Sequence, residues 1–318
     1  MARNETITGH RGHEADRPRE IPARGWRQVL RRVKQEIGRD NVSIVAAGVA
    51  FYMMLALFPA LVAAVAIYGI VADPAQVQSV VGRLEGVLPS SALDLVESQL
   101  RGIVNSAPTT LGWGAVLSIL LALWSAAKGA KSLIAGVNLV YDEEEGRGFL
   151  RLQGLALLFT VGMILAGLLA VALITVVPNL ADMLGAAGAV AAMVAQWVLL
   201  LALILGSLAV VYRFAPDRND PRWRWVTPGS VAAGVLWIVA SALFSWYAAS
   251  FGSFNETYGA LAGVVVLLLW LQITFFLVLL GGELNSELEH QTRRDTTRGQ
   301  PEPMGARGAV KADAVPEE

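Results

Sequence analysis

The chain has 318 residues, of which 55% are hydrophobic and only 16% charged, with a net charge of −1 and a mean hydropathy of +0.53. A soluble globule carries about 25% charged residues, so the polar surface is too small to cover a water-exposed fold. The absence of cysteine excludes disulfides, zinc fingers and thiol catalysis.

Residues 1–24 are polar and hold Pro18 and Pro22, a composition that predicts a disordered tail. His10 and His13 sit beside Gly9 and Gly12 and are read as part of that solvated tail rather than as a metal pair. From Gly25 to Arg39, Trp26, Val29, Leu30, Val33 and Ile37 recur at helical spacing among Arg27, Arg31, Arg32, Lys34 and Arg39. This is a basic amphipathic helix suited to an anionic membrane surface.

Six apolar segments follow, at about 43–71, 110–136, 152–177, 188–213, 227–250 and 259–283. Each exceeds the roughly 20 residues needed to cross a ~30 Å hydrocarbon core. The fold class predicted is therefore all-α, a polytopic six-helix membrane bundle over 25–290. Pro59 interrupts the first segment and is expected to kink it, because it cannot donate to the carbonyl of Leu55. The connection 73–109 reads as two outer amphipathic helices, taken as interfacial packing with a lid as the alternative. Residues 291–318 read as a second disordered tail. Gly162, Ala166 and Ala170, and likewise Gly229 and Ala233, are expected to let helices approach closely.

The basic residues orient the bundle. Ten Lys or Arg precede the first segment, four flank the second connection, four lie in the fourth and five follow Glu283, whereas 73–109 has only Arg83 and Arg101. By the positive-inside rule both termini are expected in the cytoplasm, and the protein in a bacterial inner membrane.

Three stretches carry a family resemblance. They are Ala46–Tyr52 running on to Leu57–Ala60; Leu123–Ala126 with Lys128 and Gly129, through Asn138 and Tyr141 to Arg147–Phe149; and Phe251–Asn255 with Thr257–Gly259, leading to Gly282–Asn285 and Glu287–Leu288. In this order and spacing the chain resembles the YihY/BrkB family of bacterial inner-membrane proteins. The resemblance implies a six-helix membrane protein. Some members have carried a ribonuclease BN label and others a virulence or serum-resistance label, and no residue-level site comes with either.

Candidate residues come from charges and polar groups near the membrane, where burial is costly. Lys128 and Lys131 read either as anchors at the inner interface or as a cationic vestibule, with Asn138 and Tyr141 further along. Glu283 reads as a brace at the bundle end or, less favoured, as an ion-coupling group. Asn255, Thr257 and Tyr258 read as a polar outer turn that caps the sixth segment.

The acidic run Asp142–Glu145 is consecutive in sequence, so its side chains diverge instead of converging on a metal. No enzyme activity, metal or cofactor is expected, and no nucleic-acid partner. The reading favoured is a transporter or flippase-like protein for a lipid or amphipathic anion, with membrane lipids as partners. The alternative is a non-transporting scaffold or envelope-integrity factor; a membrane-tethered ribonuclease ranks last. Oligomeric state is open.

Overall fold

The computed structural model describes residues 11–71, 113–181, 185–249 and 260–314. Its helices are α1 (Ala23–Arg39), α2 (Val42–Val71), α3 (Trp113–Val140), α4 (Phe149–Ala181), α5 (Gly185–Phe214), α6 (Trp223–Ala249), α7 (Ala260–His290) and a short α8 (Val310–Asp313). Five of them are long and apolar enough to span a bilayer, and α2, with 30 residues and no charge, makes the sixth. The all-α membrane bundle is thus the observed fold. The outer connection 73–109 and the turn with Asn255, Thr257 and Tyr258 lie outside the described residues.

Each long helix packs mainly on its neighbours in sequence, and α7 returns to α2, so the six close into a ring. One side of the ring is dense. Val42, Ala46 and Val49 of α2, Ala127, Ala130, Ile134 and Val137 of α3 and Leu279 of α7 are buried together. Small residues set the approach: a side chain on Gly129 would strike Ala56 and Met53, and one on Gly136 would crowd Leu279. In lipid, where apolar surface gains little by leaving the solvent, such close van der Waals contact is what holds helices together.

The opposite side is thin. Only 6% of the α4 span and of the α5 span is buried, against 39% for α3. Gly162 of α4 has no neighbour within 4 Å of where a side chain would begin. The expected close approach at Gly162 therefore does not occur, and the expectation at Gly229 is met on α6 instead. Pro59 lies inside a helix that continues unbroken from Val42 to Val71.

At the basic end the sequence reading needs correction. Asn41 adopts a left-handed φ of 51°, which Asn tolerates better than most residues, and there the chain bends by 63° from α1 into α2. The apolar face of α1 then lies against protein: Val29 and Val33 are buried with Ile21, Trp225 and Leu288. Trp225, at the start of α6, is fully buried for the same reason.

Residues 11–24 and 291–314, both read as disordered, are folded onto this end. His13 is buried, and its carbonyl accepts the Arg293 amide at 2.8 Å. Thr292 donates to the Ala15 carbonyl at 2.7 Å, and Thr297 pairs with Pro221 in a single antiparallel bridge. Arg307 organises the tail by donating to the carbonyls of Arg293 and Ala312, both at 2.7 Å. Backbone carbonyls of a polar, Pro- and Gly-containing segment thus find a common donor, which composition cannot reveal.

Candidate functional site

The sixth span does not stop at Glu283. It runs two further turns to His290 and brings Glu283, Asn285, Glu287 and Glu289 into the protein, all buried. Three acids within seven residues need cations from elsewhere, because an unpaired buried charge is severely destabilising. Arg32 of α1 supplies one: its Nε donates to the Glu287 carboxylate and its second nitrogen to Gln291 Oε1 at 2.8 Å. Lys311 of α8 supplies another, with Nζ 2.7 Å from Glu287 Oε1 and 2.9 Å from Asp142 Oδ2. Arg218, from the α5–α6 connection, grips Glu289 with both terminal nitrogens at 2.7 and 3.3 Å, and neither side chain is exposed. Thr296 adds a 2.6 Å hydroxyl bond to the same carboxylate.

These pairs weld α1, the α3–α4 and α5–α6 connections, the end of α7 and the C-terminal tail into one polar plate. Arg218 also lies 5.3 Å over the Tyr141 ring. Burial disfavours the Arg218 charge, but the paired Glu289 outweighs it and holds the guanidinium's pKa above its ordinary value. At Lys311 burial likewise pulls down, and Glu287 and Asp142 together raise it well above 10.5.

A cation whose pKa rises on folding contributes stability that is complete below its ordinary value and fades only as pH climbs past it. The tail should therefore stay docked from pH 6 to 9. Limited proteolysis between Arg293 and Lys311 should be equally slow across that range in wild type, and faster throughout in Lys311→Met.

Of the residues singled out in the sequence, Asn138, Tyr141 and Glu283 lie at this plate. Asn138 is buried and bridges two loops, donating to Glu145 Oε2 at 3.0 Å and accepting the Asp217 amide at 2.8 Å. Tyr141 is fully buried beside Asp142, whose left-handed φ of 56° ends α3. Glu283 is buried, and its Oε2 has no hydrogen-bond partner. Asn285 ties α7 to α6: its Oδ1 accepts the Gly229 amide at 2.7 Å and its Nδ2 donates to the Val226 carbonyl at 3.1 Å.

The acidic run is divided among partners. Asp142 takes Lys311 and Glu143 takes the Val310 amide at 2.9 Å. Glu145 takes Arg147 through two bonds of 2.7 and 2.6 Å. Burial alone would raise the Glu145 pKa; the bonds from Arg147 outweigh it and lower it. The sequence reading missed Arg32, Arg218, Glu289, Arg307 and Lys311 as site residues. The cluster of Glu283, Glu287 and Glu289, with no Lys or Arg among residues 283–292, was the available signal.

The two lysines stand apart from the plate. On one face of α3, Leu117, Leu121 and Trp124 are exposed and lead to the exposed Lys128. Phe149, at the start of α4, tilts against Trp124 with centroids 6.4 Å apart and carries Lys131 Nζ 5.0 Å over its ring. Lys128 lies 12 positions before Val140, about 18 Å along the helix, and has no carboxylate partner among the described residues.

Comparison with known proteins agrees with the architecture. A family profile described as Virulence factor BrkB matches residues 33–305. Over 256 residues the chain is 31% identical to the Putative ribonuclease-like protein YfkH of Bacillus subtilis (strain 168), covering 78% of this chain and 90% of that one. It is 26% identical over 301 residues to a UPF0761 membrane protein of Rhodospirillum centenum, covering 90% of this chain and 63% of the relative. A UPF0761 membrane protein of Tolumonas auensis is 36% identical over 97 residues, 30% of this chain and 32% of its own length. No solved structure matches. With the six-helix membrane architecture and a match across most of its length, the chain belongs to the BrkB family.

Proposed function

We propose that the protein is a transporter or flippase-like protein of the bacterial inner membrane that moves a lipid or an amphipathic anion, with the polar plate and both termini in the cytoplasm. The observation that carries this reading is Lys128, an exposed ammonium without a carboxylate partner among the described residues, set in an apolar stripe within the span. A charge at such depth is costly unless it meets water or an anion. The ring supports the reading from its thin side. Trp197, Val198 and Leu199 of α5 are 64%, 60% and 51% exposed. Gln196 and Leu200, one turn apart, are buried on the opposite side of α5, so these three form a broad apolar face turned away from the bundle. A thinly covered apolar helix surface with one exposed cation suits an acyl-chain-bearing anion.

Orientation rests on the basic residues, which crowd the plate and its connections. The test is reconstitution into vesicles with fluorescently labelled anionic and zwitterionic lipids, followed by chemical quenching from outside. Wild type should expose the inner-leaflet anionic label faster than empty vesicles, and Lys128→Ala should slow it by about tenfold, as for one buried charge–charge contact. Equal rates with and without protein would remove the proposal.

A non-transporting envelope factor is the second reading, favoured by a plate that ties both chain ends together. It predicts no transfer in that assay. Ribonuclease chemistry, which the name of the Bacillus relative suggests for that protein, has the least support. Among the described residues no three His, Asp or Glu side chains converge as metal ligands, and Glu145, Glu287 and Glu289 are engaged by cations.

A further inference from the structure

A groove of about 760 Å³ opens at the basic end where the N-terminal segment crosses the start of α6. Its walls are apolar: Trp26 of α1, Pro228, Val231 and Ala232 of α6, and Leu284 of α7. Arg17, Arg19 and Arg224 complete it. Three other arginines at this end are engaged by carboxylates, Arg32 by Glu287, Arg147 by Glu145 and Arg218 by Glu289. Among the described residues the three at the groove have no carboxylate or carbonyl partner, and the Nε of Arg224 is buried without a hydrogen-bond acceptor. The nearby carboxylate of Glu20 is turned onto the Asp16 amide at 2.9 Å.

The groove does not end blindly. Arg224, Pro228, Val231 and Val235 follow one another at intervals of three or four, and so share one face of α6. Val231 and Val235 are exposed on it, and Ile238 and Val239 continue it down the span. The same face thus begins with a cation at the helix start and becomes an apolar track that a bilayer would cover. Trp223, half exposed beside Arg224, marks headgroup level.

We propose that this groove is a binding site for an anionic phospholipid of the surrounding membrane, its phosphate held by Arg17, Arg19 and Arg224 and an acyl chain laid along Trp26, Pro228 and Val231. An arginine fork matches phosphate oxygens bidentately, and the orphaned Arg224 Nε–H gains its missing acceptor. The site joins the N-terminal segment to α6 through a lipid, so that folded segment recognises an anionic leaflet. This does not depend on transport, because a lipid seated at the rim is distinct from one passing Lys128.

Full-length protein purified from membranes or from nanodiscs holding equal phosphatidylglycerol and phosphatidylcholine tests it, with retained lipid read by native mass spectrometry. Wild type should retain phosphatidylglycerol in preference by at least fivefold, about the effect of one basic residue near a charged surface. The triple variant R17Q/R19Q/R224Q should lose the preference, and Val231→Trp, which fills the groove without touching charge, should lose retention itself. Each variant's helical content and monodispersity are checked in parallel, and Lys128→Ala should bind as wild type does. Equal retention of both lipids by wild type, or an unchanged preference in the folded triple variant, overturns the proposal. So does displacement by millimolar glycerol 3-phosphate or inorganic phosphate, which would make it a site for free phosphate. A dimer that dissociates only in Val231→Trp would overturn it in favour of a second copy of the chain.

Discussion

Glu289→Gln should lower the stability of the detergent-solubilised protein by about 3–5 kcal/mol, the usual consequence of stranding one member of a buried ion pair. Its partner Arg218 has no exposed side-chain surface, and both of its terminal nitrogens are directed at the carboxylate that the substitution neutralises. Gln can still accept from Thr296 through its one oxygen, but its amide nitrogen faces the other Arg218 donor, so the loss reports the charge together with one hydrogen bond of the fork. Arg218→Ala should cost a similar amount by leaving Glu289 bare and removing the cation over Tyr141. The double replacement Arg218→Met with Glu289→Leu should recover most of the stability, because paired apolar groups carry no desolvation penalty. Thermal unfolding followed by tryptophan fluorescence measures all three; additive losses in the double variant would contradict a direct pair.

The second large effect is expected where α6 meets α7. A Cβ on Gly229 would fall 2.0 Å from the Gly281 carbonyl oxygen and 2.5 Å from Asn285 Nδ2, and one on Gly281 would fall 2.7 Å from the Gly229 carbonyl oxygen. Backbone cannot step aside as a flexible side chain can. Gly229→Ala must therefore part the two helices and break the two bonds by which Asn285 holds the α6 backbone. Overpacking together with stranded polar groups amounts to about 3–5 kcal/mol. Gly162→Ala, at a site with open space around it, should stay within about 0.5 kcal/mol of wild type or gain slightly in helix propensity. The fraction of monodisperse protein left after heating would separate them, and equal tolerance at the two sites would refute the packing account.

Hydropathy made the spans legible, since long uncharged stretches such as Leu152–Val177 admit few other structures. It failed at their basic ends, and the reason is specific. Helix α7 continues through Glu283, Glu287 and Glu289 because Arg32, Lys311 and Arg218 neutralise two of those acids from distant parts of the chain. A local window sees only the acids and ends the helix. The tails misled in the same way. Their glycines, prolines and charges look unstructured until Arg307 and Thr292 are seen tying carbonyls together across the plate. Asn138 and Tyr141 were visible as candidates because polar residues at the end of an apolar helix stand out. Arg32 was not, because on α1 it is one basic residue among several.

The pairing of Arg32 with Glu287 joins positions 255 residues apart. At roughly 5–20 residues per second of synthesis, Arg32 leaves the ribosome about 13–50 s before its counter-charge. Throughout that interval the first helix has been made while the residue that anchors it has not. The N-terminal segment thus docks only after the last span is in place, and a nascent chain arrested before Glu287 presents a bare basic arm to the translation and insertion machinery. Closure of the plate is therefore among the last steps of folding, and until it occurs the Arg32 side of α1 lacks its counter-charge.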